Sequence, residues 1–286
     1  VSYLDLVVTA IGADIVPITG ENRTLAYLGL QVINQSARPG IRALGASLKK
    51  KEWTISDVVF IIAPRINAAG RMKHGAYAVD ILLEQDLEIA QQQAASIETF
   101  NVERKELDRT ISIEALDLIK SLKEDHRNTT VVYGENWHKG VIGIVASRLI
   151  ETYYRPTIVF TKSGDVLVAS ARSVKGFDLY KALEACSEYL IQFGGHKYAA
   201  GLTLRPEQYE GFKSQFETVV SETITPEILI PEVAIDSELS LTQITPKFYR
   251  ILKQFGPFGP GNMTPVFASH QVFDTGFAKP VGKEQS

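Results

Sequence analysis

Five short stretches carry residue types able to hold a phosphate group or a metal ion. In Phe193-Gly194-Gly195-His196-Lys197-Tyr198-Ala199-Ala200-Gly201, two glycines precede a histidine and small residues follow it. That setting predicts an anion-sized nest at Gly194 and Gly195, with His196 presented to the ligand. In Ala169-Ser170-Ala171-Arg172-Ser173, alternation along a strand end puts the Ser170 hydroxyl and the Arg172 guanidinium on one face. A hydroxyl and a guanidinium two residues apart suit one phosphate; a surface ion pair accounts for Arg172 equally well.

The other three stretches are less specific. Pro64-Arg65-Ile66-Asn67-Ala68-Ala69-Gly70-Arg71 gathers two arginines, an amide and three small residues, and reads as a phosphate-gripping turn or as an arginine-capped loop. Trp137-His138-Lys139-Gly140-Val141-Ile142-Gly143 continues to Arg148 as a strand exit feeding a helix, where Gly140 and Gly143 admit an anion to the first amides or simply allow close packing. Asp14, within Gly12-Ala13-Asp14-Ile15-Val16-Pro17, is a carboxylate among small and apolar residues where a strand ends. A divalent cation is one partner for it, and a cap or an Asx turn is the other reading.

The elements that must position these residues follow from pattern. Residues 4–18 read as a buried strand or short helix closed by Pro17, and Arg23 to Asn34 as a helix on the stripe Leu25, Leu28, Val32, ended by Arg38-Pro39-Gly40. A further short helix covers about Ile41–Lys49. Neither glycine nor proline occurs between Gly75 and Gly134, and Leu107, Ile111, Ala115, Leu118 and Leu122 recur at helical spacing. Asp86 is the expected N-cap dividing a first helix, to about Glu84, from a long one to about Lys123 that bridges two domains. From Thr129 the β-branched runs 129–133, 156–161 and 166–170 alternate with helices at about 142–153 and 179–190, the texture of an α/β domain. A helix over 206–223, a linker over 225–231 and strand-like runs at 233–239 and 266–273 complete the chain.

Composition bounds the rest. The 286 residues are 45% hydrophobic, enough for two compact domains or one domain with an appendage, and the formal charge is −3, so phosphate contacts must be local. Arg65, Arg71, Lys73, Lys139, Arg148, Arg172, Lys175 and Lys197 all stand in or beside glycine-rich turns. Cys186 is the single cysteine, expected to be a buried spectator thiol. No run of eighteen apolar residues and no basic-then-apolar leader occurs, so no membrane association and a cytoplasmic location are expected. The chain begins at Val1 and runs directly into Leu4–Val8, which reads as the middle of a larger gene product. No serine nucleophile elbow, paired-cysteine zinc pattern or Walker lysine loop is present.

Taken in order, the motifs around Asp14, Arg65–Arg71, Gly140–Arg148, Ser170–Ser173 and Phe193–His196 resemble the RecJ family of DHH/DHHA1 phosphoesterases over nearly the whole chain. The resemblance implies an α/β protein: the C-terminal part of a DHH domain (1–75), connecting helices (76–128), a mixed-sheet DHHA1 domain (129–224) and an incomplete OB-like barrel (232–286), whose Phe255-Gly256-Pro257-Phe258-Gly259-Pro260-Gly261-Asn262 is similar to the start of the family's barrel. It also implies a single-stranded-DNA-specific 5′–3′ exonuclease of DNA repair and recombination, using two Mn²⁺ or Mg²⁺ ions. Asp14 matches the last metal-binding aspartate of that site; the earlier aspartate motifs and the Asp-His-His triplet do not occur in this sequence, so the piece alone is expected to be inactive. Ser170, Arg172 and His196 match the DHHA1 phosphate-binding positions, with Asn67 and Arg71 as neighbours; His196 and Arg172 would neutralise the reacting phosphate. Single-stranded DNA is the implied partner, with a single-strand-binding protein or helicase beside it. A DHH phosphodiesterase for nano-RNA or cyclic dinucleotides and a non-catalytic single-strand-binding module are the competing readings.

Overall fold

The computed structural model describes residues 3–274, 276 and 277; the end of the expected 232–286 domain, from residue 278, lies outside the described residues. Eleven α-helices and seven strands are formed among the described residues. In chain order the helices are α1 (Leu4–Ala13), α2 (Gly20–Ser36), α3 (Pro39–Leu44), α4 (Ile55–Asp57), α5 (Ala63–Met72), α6 (Ala76–Leu83), α7 (Leu87–Ser121), α8 (Ile142–Thr152), α9 (Leu179–Glu184), α10 (Tyr209–Thr223) and α11 (Pro246–Lys253). The strands are β1 (Thr130–Gly134), β2 (Thr157–Ser163), β3 (Val166–Arg172), β4 (Leu190–His196), β5 (Ala199–Leu204), β6 (Ser237–Glu238) and β7 (Phe267–Ala268).

The chain divides into two compact units, one of Val1–Ala37, Lys50–Val59 and Val233–Ser286, the other of Arg38–Lys49 and Phe60–Glu232. In the first, α1 packs on α2, where a Cβ on Gly29 would meet the Leu4 carbonyl at 2.5 Å, so only glycine permits that approach. Asn34 ties α2 to the loop before α4, exchanging hydrogen bonds with the Trp53 backbone. Arg23 donates to the carbonyls of Gln254, Phe255 and Gly256. The tail contributes the short parallel pair β6 and β7, far shorter than the expected strand-like runs.

The second unit is built on a mixed five-stranded sheet in the order β1-β2-β3-β5-β4, with β1 and β2 parallel and every other pair antiparallel. Strand alternation divides it into two cores. Leu167, Ala169 and Ala171 of β3, with Ile158 and Phe160 of β2, face α9 and α10, where Phe160, Phe212 and Phe216 form a run of ring contacts. Val132 and Val159 on the opposite face pack with Val145, Ala146 and Leu149 of α8 and Ile111, Ala115 and Ile119 of α7. Ser170 and Arg172 alternate with the buried alanines of β3 and so point to the α8 side.

The long helix forms where expected. Asp86 is its N-cap, accepting from the Glu88 and Ile89 amides, and the 35-residue helix runs unbroken to Ser121. Several other expectations need correction. Asp14 follows a helix, α1, and not a strand. Pro39 and Gly40 open α3 instead of only closing α2, because proline is favoured at a first helical position. Pro64–Arg71 is not a turn but the body of α5, entered through a π-helical segment, Val58–Ile62. The expected helix over 179–190 stops at Glu184, and residues from Leu190 join the sheet.

Candidate phosphate-binding site

The site grows from the edge of the mixed sheet. Three strands meet in register, so that Ser170 stands opposite Gly201 and Gly201 opposite Gly194, while Arg172 stands opposite Ala199 and Ala199 opposite His196. Residues directly opposed in a ladder share a face. Ser170, Arg172 and His196 therefore project from one surface, with His196 two strands, about 10 Å, from Arg172. Between them the row carries only Gly201, Gly194 and Ala199, and a Cβ at Gly194 would meet nothing within 4 Å. The result is a shallow trough with a guanidinium at one side and an exposed imidazole at the other.

Sequence reasoning placed Gly194 to His196 in a loop nest; they are strand residues instead. Gly194 to His196 close the edge strand β4 in a tight hairpin with β5. Gly195 has φ +152, and a Cβ there would lie 2.3 Å from the Ala199 carbonyl oxygen, which excludes any other residue.

Arg172 Nη1 donates to Ser170 Oγ at 3.0 Å and to the Ala171 carbonyl at 2.8 Å. Opposite them is the first turn of α8, where a Cβ on Gly143 would come within 2.9 Å of Ser170 Oγ and 3.0 Å of Arg172 Nη2. Ile142, Ile144 and Val145 donate their amides back to His138 and Val141 carbonyls, a set that leaves out the Gly143 N–H. A hydroxyl, a guanidinium and a helix N-terminus thus share one small space, which chemically suits a tetrahedral oxyanion. Burial, and after it the neighbouring Arg71 charge, lower the Arg172 pKa from its ordinary value; a guanidinium stays charged nonetheless.

Arg71 reaches the same region from α5, donating Nη1 to the Gly140 carbonyl at 3.3 Å. Gly140 is required there, since a Cβ would sit 2.3 Å from the Arg71 carbonyl. Asn67 lies one turn before Arg71 on α5 and is exposed. Two other arginines of the expected set are committed elsewhere: Arg65 pairs with Glu98, and Arg148 donates Nε to both oxygens of Asp108. Sequence reasoning missed Gly201, whose signal was the Ala199-Ala200-Gly201 run, and Arg104, which lies four residues before Asp108 on α7 and is acted on electrostatically by Asp108, Arg71 and Arg148.

Asp14 is exposed at the C-terminal end of α1. Among the described residues no group of three histidine, cysteine or carboxylate side chains could hold a metal ion, so these residues do not by themselves fit a two-ion centre.

Comparison with known proteins decides the family. The single-stranded-DNA-specific exonuclease RecJ of Escherichia coli (strain K12) is 36% identical over 279 residues, 93% of this chain and 48% of that protein. The protein of the same name from Bacillus subtilis (strain 168) is 34% identical over 269 residues, 92% of this chain and 34% of that protein. The chain belongs to the RecJ family. Residues 126–222 match the DHHA1 domain and 235–286 the RecJ OB domain. RecJ from Thermus thermophilus in complex with Mn²⁺ superposes with TM-score 0.84 at 30% identity over 93% of this chain and 39% of the other; its complex with Mg²⁺ gives 0.83 at 29% over 93% and 41%. This RecJ-family chain thus spans less than half the length of these relatives. No helix among the described residues is long and apolar enough to cross a membrane.

Proposed function

We propose that this chain is the substrate-phosphate-holding portion of a cytoplasmic single-stranded-DNA-specific 5′–3′ exonuclease of DNA repair and recombination. The carrying observation is the juxtaposition of Ser170 Oγ, Arg172 Nη2 and the α8 N-terminus at Gly143. In this reading Ser170 donates its hydroxyl to a non-bridging phosphate oxygen, while Arg172 neutralises the charge and His196 closes the trough from β4. Gly194 and Gly195 keep the trough open to the strand. Asn67 and Arg71 extend the grip along α5. Fixed donors aimed at phosphate oxygens supply electrostatic stabilisation without reorganisation.

Asp14 is the one carboxylate that this chain contributes to a metal centre in this reading, a centre the described residues do not complete. No hydrolytic step is therefore assigned to them, and the chain alone is expected to bind without turning over. Residues 76–128 serve as the connecting helices, 129–224 as the phosphate-holding domain and 232–286 as part of the barrel. A single-strand-binding protein or a helicase is the partner class that supplies such a substrate.

The test is fluorescence anisotropy of a 5′-phosphorylated single strand against the chain and its Arg172→Ala and His196→Ala variants. Loss of one charge-assisted phosphate contact should weaken binding by about tenfold. Affinity unchanged in both variants would defeat the assignment, and hydrolysis of a 5′-labelled strand by the purified chain in Mn²⁺ would defeat the claim that it does not turn over.

A further inference from the structure

The connection from β1 into α8 carries the Trp137-His138-Lys139 motif, and three other elements anchor it. Trp137 is buried, and its ring lies against Gly134, where a Cβ would come within 2.2 Å of it. Its Nε1 donates to Glu114 Oε2 of α7 at 2.8 Å, and its carbonyl accepts from Thr161 Oγ1 of β2 at 2.6 Å. Arg71 of α5 donates to the Gly140 carbonyl. The backbone is thus tied down on both sides of His138 before α8 begins.

The start of a helix leaves backbone amides without intrahelical partners, and the N-cap side chain ordinarily takes one of them. Here the N-cap residue is Val141, whose side chain makes no such bond. His138 takes its place from three residues upstream. Its Nδ1 accepts the Gly140 amide at 3.1 Å, the bond to the second residue on that an Asx turn would make. A ring nitrogen that accepts places the ring proton on Nε2. The His138 carbonyl accepts the Val141 and Ile142 amides at 2.9 and 3.3 Å, and the Val141 carbonyl accepts those of Ile144 and Val145 at 2.8 and 3.1 Å. Among the described residues, every amide from Gly140 to Val145 therefore has a partner except that of Gly143.

Gly143 is also the residue whose missing Cβ opens the space shared with Ser170 Oγ and Arg172 Nη2. We infer that His138 is a positioning residue of the phosphate site: its ring and carbonyl take three consecutive amides and leave the Gly143 N–H as the donor that α8 offers to an anion held by Ser170 and Arg172. This role rests on the reading of Ser170 and Arg172 as a phosphate grip. Without the ring acceptor, the Gly140 amide loses its partner and the backbone ahead of α8 gains freedom. The Gly143 N–H is then no longer held in one direction, and a donor that must be ordered on binding contributes less than one already in place.

Glycine-selective nitrogen-15 labelling of the whole chain, titrated with inorganic phosphate, reads the amides directly by nuclear magnetic resonance. The Gly143 signal should shift as phosphate binds, and the Gly140 signal should stay in place. A motionless Gly143 signal, or equal shifts of both glycines, would overturn the inference. Calorimetry with 5′-phosphorylated tetrathymidylate gives the second measurement. His138→Ala should weaken binding by about tenfold. His138→Asn restores an acceptor for the Gly140 amide and should bind within about twofold of the unaltered chain. Equal losses in the two variants would mean that the ring acts by its bulk, and would likewise overturn the inference. Should His138→Ala fail to fold, the phosphate titration of the unaltered chain still decides. Failure of the phosphate-grip reading looks different: Arg172→Ala would then leave the affinity for phosphate unchanged, whereas a loss in Arg172→Ala with none in His138→Ala strikes at His138 alone.

Discussion

Gly143 and Ser170 are in contact through the absence of a side chain: a methyl group on Gly143 would lie 2.9 Å from Ser170 Oγ and 3.0 Å from Arg172 Nη2. The glycine in the first turn of α8 and the strand residues that face it define one space, and its size is set by a missing Cβ. Nothing in helix formation requires glycine at this position, since alanine is the better helix former by about 1 kcal/mol.

Gly143→Ala therefore separates folding from binding. The variant should keep its urea midpoint or gain up to about 1 kcal/mol of stability, because the atoms it meets are side-chain ends able to swing aside. Phosphate affinity should fall by about tenfold as the displaced hydroxyl and guanidinium lose their common focus. A stable variant with undiminished affinity for a 5′-phosphorylated strand would show that the ligand does not use this space.

How far the site could be read from sequence depends on the kind of signal each residue left. Ser170 and Arg172 were legible because strand alternation alone puts residues two apart on one face. The long helix was legible because glycine and proline are absent for a stretch and Asp86 caps its start. The placement of Gly194 to His196 was not, because two glycines resemble a loop nest locally; their strand identity comes from pairing with β5, a partner the local pattern does not name. The same holds for α5, where Pro64, Asn67 and Gly70 look like turn residues but the small side chains Ala68 and Ala69 are buried in a helix. Arg104 left only a charged position on a long helix, and what singles it out is the set of cations around it.

Asp108 should carry much of the stability of this arginine-rich region. Its carboxylate is buried and receives Arg148 Nε at 2.8 and 2.9 Å, while Arg104 and Arg71 add positive charge nearby. Asp108→Asn should cost about 1–3 kcal/mol in urea denaturation, below the figure for a fully buried pair because the Arg148 side chain is 53% exposed. Added salt should recover part of the loss, since it screens the repulsion left among the arginines. A salt-independent loss would mean that the carboxylate acts through packing alone.

Asp57 gives the first unit a defined response to acid. Burial works against its charge, but hydrogen bonds from Lys50 and from the Thr54 amide and hydroxyl outweigh it and hold the pKa below the ordinary 3.8. A depressed folded-state pKa contributes stability that is fully present above the unfolded value and is lost as pH falls through the folded one. Asp57→Asn should thus lower stability by about 1 kcal/mol at pH 7, and the gap between variant and unaltered chain should close as pH drops below 3.8. Thermal melts at pH 7, 5 and 3 distinguish this from a gap that stays constant, which would assign the loss to shape and not to charge.

Cys186 offers a direct reading of how the second unit opens. It is the only cysteine in the chain and is buried in the core beneath β4, β5 and α9 with Phe212 and Leu204. Burial, with a smaller contribution from Glu188, pushes its thiol up to about 12. At pH 8 only about one molecule in ten thousand then carries the thiolate that an alkylating reagent attacks. Labelling by iodoacetamide should accordingly be negligible in the native chain and should rise along the same urea curve as the loss of near-ultraviolet circular dichroism. Rapid labelling well before that transition would reveal an opening of α9 and the sheet edge that leaves the rest folded, and with it a trough at His196 whose walls are not held in place by the core beneath them.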